Sequence, residues 1–199
     1  MRYQLFMVPG ILAILVTMIG GYLSALNIVK EKETGTIEQI NVTPIRKHHS
    51  IIGKLIPFWI LGLVTFTLGL LVGWLVYDVT PAGSIALLYF FVGVYLIPIL
   101  GLGLLISTYT ETQQQAMFIS FFFVMIFILM SGLFTSIESM PTWAQVISRL
   151  NPVTYFIEVM RMVVLKESSF RHILPHLGAV IGFGIVLNVW AVWNYKKTQ

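Results

Sequence analysis

The sequence predicts an all-α protein, a polytopic membrane helix bundle with about five transmembrane helices, one charged helical segment on the cytoplasmic side and short external interfacial helices. Three observations predict it. Of the 199 residues, 57% are hydrophobic and only 10% are charged, against roughly 25% charge in a soluble domain. Mean hydropathy is +0.89. Five stretches, Tyr3–Val29, Leu55–Tyr77, Val79–Thr110, Thr112–Ile137 and His172–Tyr195, contain no Asp, Glu, Lys or Arg, and each holds the ~20 residues that a spanning helix requires. Lipid offers the backbone no hydrogen-bond partner, so only helices or a closed barrel can cross it. Barrel strands alternate apolar and polar residues, and these runs do not. Residues 1–199 form one transmembrane domain.

The first span covers about 5–28. Its apolar run is longer than that of a secretory leader, it is followed by "KEKE", and no small-residue cleavage pattern closes it. The segment that follows, "EKETGTIEQINVTP", holds Glu31, Glu33 and Glu38, three of the eight acidic residues of the chain. Read as a helix over Lys30–Thr43, it places Val29, Ile37 and Ile40 in one narrow sector and Glu31, Thr34, Glu38 and Asn41 on the opposite side. That pattern predicts a helix lying along the membrane surface with its carboxylates in water. Thr34-Gly35-Thr36 is poor helix sequence and predicts a break near Gly35, and Pro44 ends the element. Carboxylates next to an anionic leaflet disfavour simple lipid binding. They fit a docked basic protein surface, and they fit a solvated loop.

The second span covers about 52–77 and the third about 85–108, and the loop "DVTPAGS" between them has no Lys or Arg. The "TETQQQ" turn leads to a fourth span over about 115–137, and a fifth covers about 174–195. Lys30, Lys32, Arg46, Lys47 and Lys54 flank the first two spans, and Lys196 and Lys197 follow the last. The positive-inside rule therefore places residues 30–50 and the C-terminus in the cytoplasm of a plasma (inner) membrane. The first span then begins outside, which is the expectation for a chain lacking an upstream span. The segment 138–171 lies outside. "MPTWAQVISRLNPVTYFIEVMR" is apolar in part but carries Arg149, Glu158 and Arg161 and is broken at Asn151-Pro152. It predicts two short helices in the outer interface, with Trp143 and Tyr155 as belt residues and Glu158 and Arg161 spaced to pair. Such re-entrant helices either cap a path from outside or serve as a passive anchor.

Together "SALNIVKEKETGTIEQINVTPI", "IIGKLIPF" and "ESMPTWAQVISRLNPVTYFIEVMR" resemble ABC-2 type transporter permeases, the membrane subunits of a class of ATP-binding-cassette exporters. A typical member has six spans, and this chain resembles the C-terminal five-span portion. The resemblance implies that residues 30–44 are a coupling helix for a separate ABC ATPase, with Glu31, Glu33, Thr34, Gly35, Thr36, Glu38, Gln39 and Pro44 as the ATPase-coupling residues. It implies that Asn151, Pro152, Tyr155, Glu158 and Arg161 form an external gate. It further implies a second permease subunit, identical or related, and ATP with Mg bound by the partner ATPase and not by this chain.

The residues exclude several alternatives. The spans contain almost no ionisable group, whereas ion-coupled transporters carry them inside the bilayer. The sequence has no G-x-x-x-x-G-K-[ST] loop, no H-E-x-x-H and no G-x-S-x-G, so it is not the nucleotide-binding subunit. Ser24 and Ser107 have no His or Lys in the spans to activate them, which argues against an intramembrane enzyme. Cysteine is absent, and His172 and His176, interrupted by Pro175, lack a third ligand, so no metal centre is expected. The net charge of +4 is dispersed around the spans and predicts contact with membrane lipid and no nucleic-acid partner. A non-transporting membrane scaffold or assembly factor is the alternative function. Gly69/Gly73 and Gly178/Gly182 match the close-packing G-x-x-x-G spacing and are candidates for a dimer contact. The Met- and Phe-rich spans suit a hydrophobic or amphipathic cargo, and equally suit lipid.

Overall fold

The computed structural model describes residues 3–35, 47–166 and 168–194. All regular elements among them are helical. Helix α1 (Tyr3–Thr17) passes through a π-helical turn (Met18–Leu23) into α2 (Ser24–Glu33), giving one continuous rod. Then come α3 (Lys47–Tyr77), α4 (Ile85–Tyr109), α5 (Gln113–Leu129), a 3-10 turn (Ile137–Ser139), α6 (Thr142–Arg149), α7 (Pro152–Lys166) and α8 (Phe170–Asn194). Among the described residues, four units are long and apolar enough to cross a membrane: Met7–Glu33, Ile51–Tyr77, Ile85–Tyr109 and Phe170–Asn194.

The fourth apolar helix departs from the expected boundary. Helix α5 stops at Leu129, short of residue 137, and its 17 residues extend only about 25 Å. The Ser131 hydroxyl donates to the Ile128 carbonyl at 2.6 Å, and Gly132 turns the chain at φ 79°, a left-handed conformation that glycine adopts without Cβ strain.

Helix α4 is the centre of the bundle and packs most extensively on α8. Its Leu88, Phe91, Val92, Tyr95, Leu96 and Ile99 are almost wholly buried. Helix α3 lies outside, and a stripe at helical spacing lets it approach. A Cβ on Gly62 would meet Leu96, one on Gly69 would meet Leu12, and one on Gly73 would meet Val8. Gly69 and Gly73 thus seat α3 on α1 within the chain, and Gly178 and Gly182 of α8 face open space. The outer faces are strongly apolar: Leu75 is 73% and Trp193 85% exposed. Water would penalise such surfaces, and hydrocarbon does not.

The π turn lies at a close packing contact with α4. Gly20 and Gly21 are buried, and a Cβ on Gly103 of α4 would lie 2.1 Å from Ser24 Oγ and 2.7 Å from the Gly21 carbonyl oxygen. The two backbones meet there, which only small residues allow. Gly103→Ala is therefore expected to destabilise the bundle by about 1–3 kcal/mol, the usual range for overpacking. Gly178→Ala, facing open space, is expected to be neutral or to stabilise by up to about 1 kcal/mol through helix propensity. Thermal unfolding of the two variants in detergent checks the contrast.

Helix α7 is packed more deeply against the bundle than its sequence pattern reveals. Its Val153, Phe156, Ile157, Val159, Met160, Val163 and Val164 are buried against α1, α4 and α8. The Phe156 ring stacks on Tyr95 at 4.2 Å, and the Tyr95 hydroxyl is hydrogen-bonded to Thr17 at 2.6 Å. One apolar stripe suffices to insert this helix; Thr154 is buried with it, while Glu158, Arg161 and Lys166 lie at less buried positions.

Candidate functional site

The charged residues gather at the two ends of the bundle. At one end, the junction, α2 terminates where the sequence predicts a break. Thr34 N–H donates to the Lys30 carbonyl at 3.0 Å and Gly35 N–H to that of Lys32 at 3.1 Å, and Gly35 has φ 72°. The helix through Glu33 continues the first span. Of the surface helix expected over Lys30–Thr43, residues 36–43 lie outside the described residues. Thr36, Glu38, Gln39 and Pro44 lie outside the described residues.

Nor do the junction carboxylates simply point into water. Glu31 forms an ion pair with Lys54 of α3, with side-chain exposures of 29% and 14%. The Lys32 ammonium donates to the Ser107 carbonyl and, at 3.3 Å, to that of Thr110. The Glu33 carboxylate accepts from Gln113 N–H at 3.3 Å and from its side-chain amide at 2.8 Å. The chemistry is that of helix ends. Helix α4 finishes here with orphan carbonyls and the negative end of its dipole, and α5 begins here with orphan N–H groups and the positive end. Adjacent residues of α2, one cationic and one anionic, satisfy both. The start of α5 is capped further by Thr112, whose hydroxyl accepts from Gln115 N–H at 3.3 Å, and Gln115 reaches back to Glu111 N–H at 3.1 Å.

At the opposite end, the cap, α7 is tied to several neighbouring turns. Asn151 Oδ1 accepts from Val153 N–H at 3.0 Å and so caps α7, with Pro152 in the first helical position. Asn151 Nδ2 donates to the Phe127 carbonyl, in the last turn of α5, at 2.6 Å. The Tyr155 hydroxyl donates to the Arg149 carbonyl that ends α6, at 2.7 Å. Arg161 donates to the Gly132 carbonyl at 3.3 Å. Partial burial lowers the Arg161 pKa, and the Glu158 carboxylate pulls it the other way. Glu158 has His176 of α8 at 2.9 Å, a contact that the i, i+3 spacing with Arg161 does not reveal. Backbone N–H groups of Ala82 and Gly83 donate to the Val164 and Val163 carbonyls at 3.2 and 3.0 Å, placing the α3–α4 loop at the cap end. A Cβ on Gly83 would lie 2.8 Å from the Val163 carbonyl oxygen, so only glycine permits this approach. Asn151, Pro152, Tyr155, Glu158 and Arg161 are thus brought together on one helix. Among the described residues, no group of three or more His, Asp or Glu could hold a metal ion.

The family model for "ABC-2 family transporter protein" matches residues 1–193. The chain belongs to the ABC-2 transporter family. Relatives of this ABC-2 chain agree. "Probable multidrug ABC transporter permease YbhR" of Escherichia coli (strain K12) is 36% identical over 167 residues, covering 84% of this chain and 45% of that protein. The "Probable multidrug ABC transporter permease YbhS" of the same strain is 33% identical over 163 residues, 81% of this chain and 43% of the relative. "Inner membrane transport permease YhhJ", also of that strain, is 26% identical over 195 residues, 95% of this chain and 51% of the relative. The chain spans about half the length of the curated relatives it matches. It is a multi-pass membrane protein of a transport-permease family.

The contacts made by Lys32, Lys54, Ser107, Thr110, Gln113 and His176 escaped the sequence reading. The signal for Lys32 is present: a base between two acids at the end of a span, with two helix termini available elsewhere in the bundle. Charge alone does not say which helix termini come near.

Proposed function

We propose that this chain is a membrane-spanning permease subunit of an ABC exporter, coupling ATP hydrolysis on a separate ATPase to outward transport. The observation that carries the reading is the junction itself. The segment that would receive the ATPase leaves directly from a spanning helix and is clasped by α3, α4 and α5. A push on residues 30–44 therefore has a path into three helices. The junction end is the cytoplasmic one in this reading, because Lys30, Lys32 and Lys54 flank the spans there. The chain then lies in the inner membrane with its C-terminus in the cytoplasm. ATP and Mg belong to the partner ATPase, and a second permease subunit, identical or related, completes the path. Asn151 to Arg161 form the external gate. The YbhR and YbhS names contain "multidrug", which supports a hydrophobic or amphipathic substrate class here.

Orientation and partner are tested together. The chain has no native cysteine, and Lys30 is exposed. Lys30→Cys in this chain is expected to resist a membrane-impermeant maleimide in intact cells and to react after permeabilisation. The tagged permease is expected to retain an ABC ATPase on purification, and vesicles holding both are expected to transport dye only with ATP. Labelling in intact cells overturns the orientation. Absence of any associated ATPase favours the scaffold alternative.

A further inference from the structure

Helix α5 is held in an unusual way. Its buried residues are Ala116, Ser120, Val124 and Ile128, one straight i, i+4 stripe that is small at the junction half. Met117, Phe118, Phe121, Phe122 and Met125 on its other faces are exposed. The buried Ser120 hydroxyl has no hydrogen-bond partner among the described residues, so no polar bond locks the middle of the stripe. The polar restraints sit at the ends. At the first residue, Gln113 N–H and its side-chain amide bond to Glu33. In the last turn, the Phe127 carbonyl bonds to Asn151. A helix is stiff along its axis because each peptide is bonded to the next turn.

We propose that α5 is a connecting rod between the junction and the cap, with Glu33 and Asn151 as the positioning residues that clasp its two ends. The proposal deepens the function given above and rests on the reading that the ATPase acts on residues 30–44. Displacement of α2 draws the start of α5 through Glu33. The narrow stripe lets the helix shift, and its far end moves Asn151. Asn151 also caps α7, so the shift loosens the seating of the external helix. Two sites about 25 Å apart, by the rise of a 17-residue helix, are thereby joined by one rigid element with two clasps.

The test uses no ATPase and no nucleotide, so its failure is separate from failure of the functional reading. Ser148 of α6 is buried, and its carbonyl accepts from Asn151 N–H at 3.2 Å. In this cysteine-free chain in sealed vesicles, Ser148→Cys reports loosening of the cap by its rate of reaction with a maleimide. Glu33→Ala cuts the junction clasp. Asn151→Asp cuts the cap clasp by removing the donor to Phe127 while keeping the oxygen that caps α7, so α7 still folds. Each change is expected to raise the labelling rate about 2- to 30-fold, the range for residues along a coupling element. The double variant is expected to react no faster than the quicker single one, since a rod cut at either end is already cut. Glu33→Gln, which keeps an acceptor oxygen, is expected to restore the slow rate. An unchanged rate in Glu33→Ala, or two effects that simply multiply as independent distant sites do, overturns the proposal.

Discussion

Phe156→Ala is expected to destabilise the bundle by about 3–5 kcal/mol, the range for truncating a buried aromatic ring. The side chain is wholly buried and stacks on Tyr95 at 4.2 Å and on Phe91 at 6.1 Å. Tyr95 cannot collapse into the vacated volume without giving up its buried hydrogen bond to Thr17. Thr17 in turn donates to the Ala13 carbonyl at 2.6 Å, so the restraint reaches the first helix. The loss lowers the thermal midpoint of the purified full-length permease, and Phe156→Leu, which keeps most of the apolar volume, falls between the two. A loss below about 1 kcal/mol, the typical effect of an average substitution, would mean that α7 is not seated in the core.

Glu31→Lys is expected to leave membrane insertion intact while reducing ATP-driven transport about 5- to 150-fold, the span of typical coupling free energies. The change places two ammonium groups where Glu31 now pairs with Lys54. Both side chains are largely shielded from water, so the repulsion is weakly screened and parts α2 from α3. The double exchange Glu31→Lys with Lys54→Glu restores opposite charges and is expected to recover most of the transport. Recovery separates a role for the pair from a requirement for a carboxylate at residue 31. If the exchange leaves transport as low as the single change, the carboxylate itself faces the ATPase, as the resemblance alone implies.

The two predictions address different ends of one molecule, and the sequence is informative about them to different degrees. The cap residues can be found along the chain because Asn151-Pro152 is a local signal. An amide that can cap, followed by a ring that suits the first helical turn, marks a helix start whatever surrounds it. The depth of that helix is another matter. Val153, Phe156, Ile157, Met160 and Val164 form a stripe equally suited to the acyl boundary beneath the headgroups or to a protein core, since both are apolar. Gly35 is legible for the same local reason as Asn151, being a residue suited to a left-handed turn. The partners of Glu31, Lys32 and Glu33 are 23, 75 or 78, and 80 residues away, and no local pattern encodes them.

The sequence by itself determined that the chain is helical, crosses a membrane several times and carries its charge at the span ends. These follow from the free energy of placing peptide groups and ions in hydrocarbon, which depends on composition and run length alone. Only the tertiary structure decided that Lys32 serves α4, that Glu33 serves α5, that α7 lies inside the bundle and that α5 is gripped at both ends. Such contacts depend on which helix termini and which small residues meet in space. Close approach at Gly62, Gly69, Gly73 and Gly103 sets that packing, and it is the product of all the helices at once.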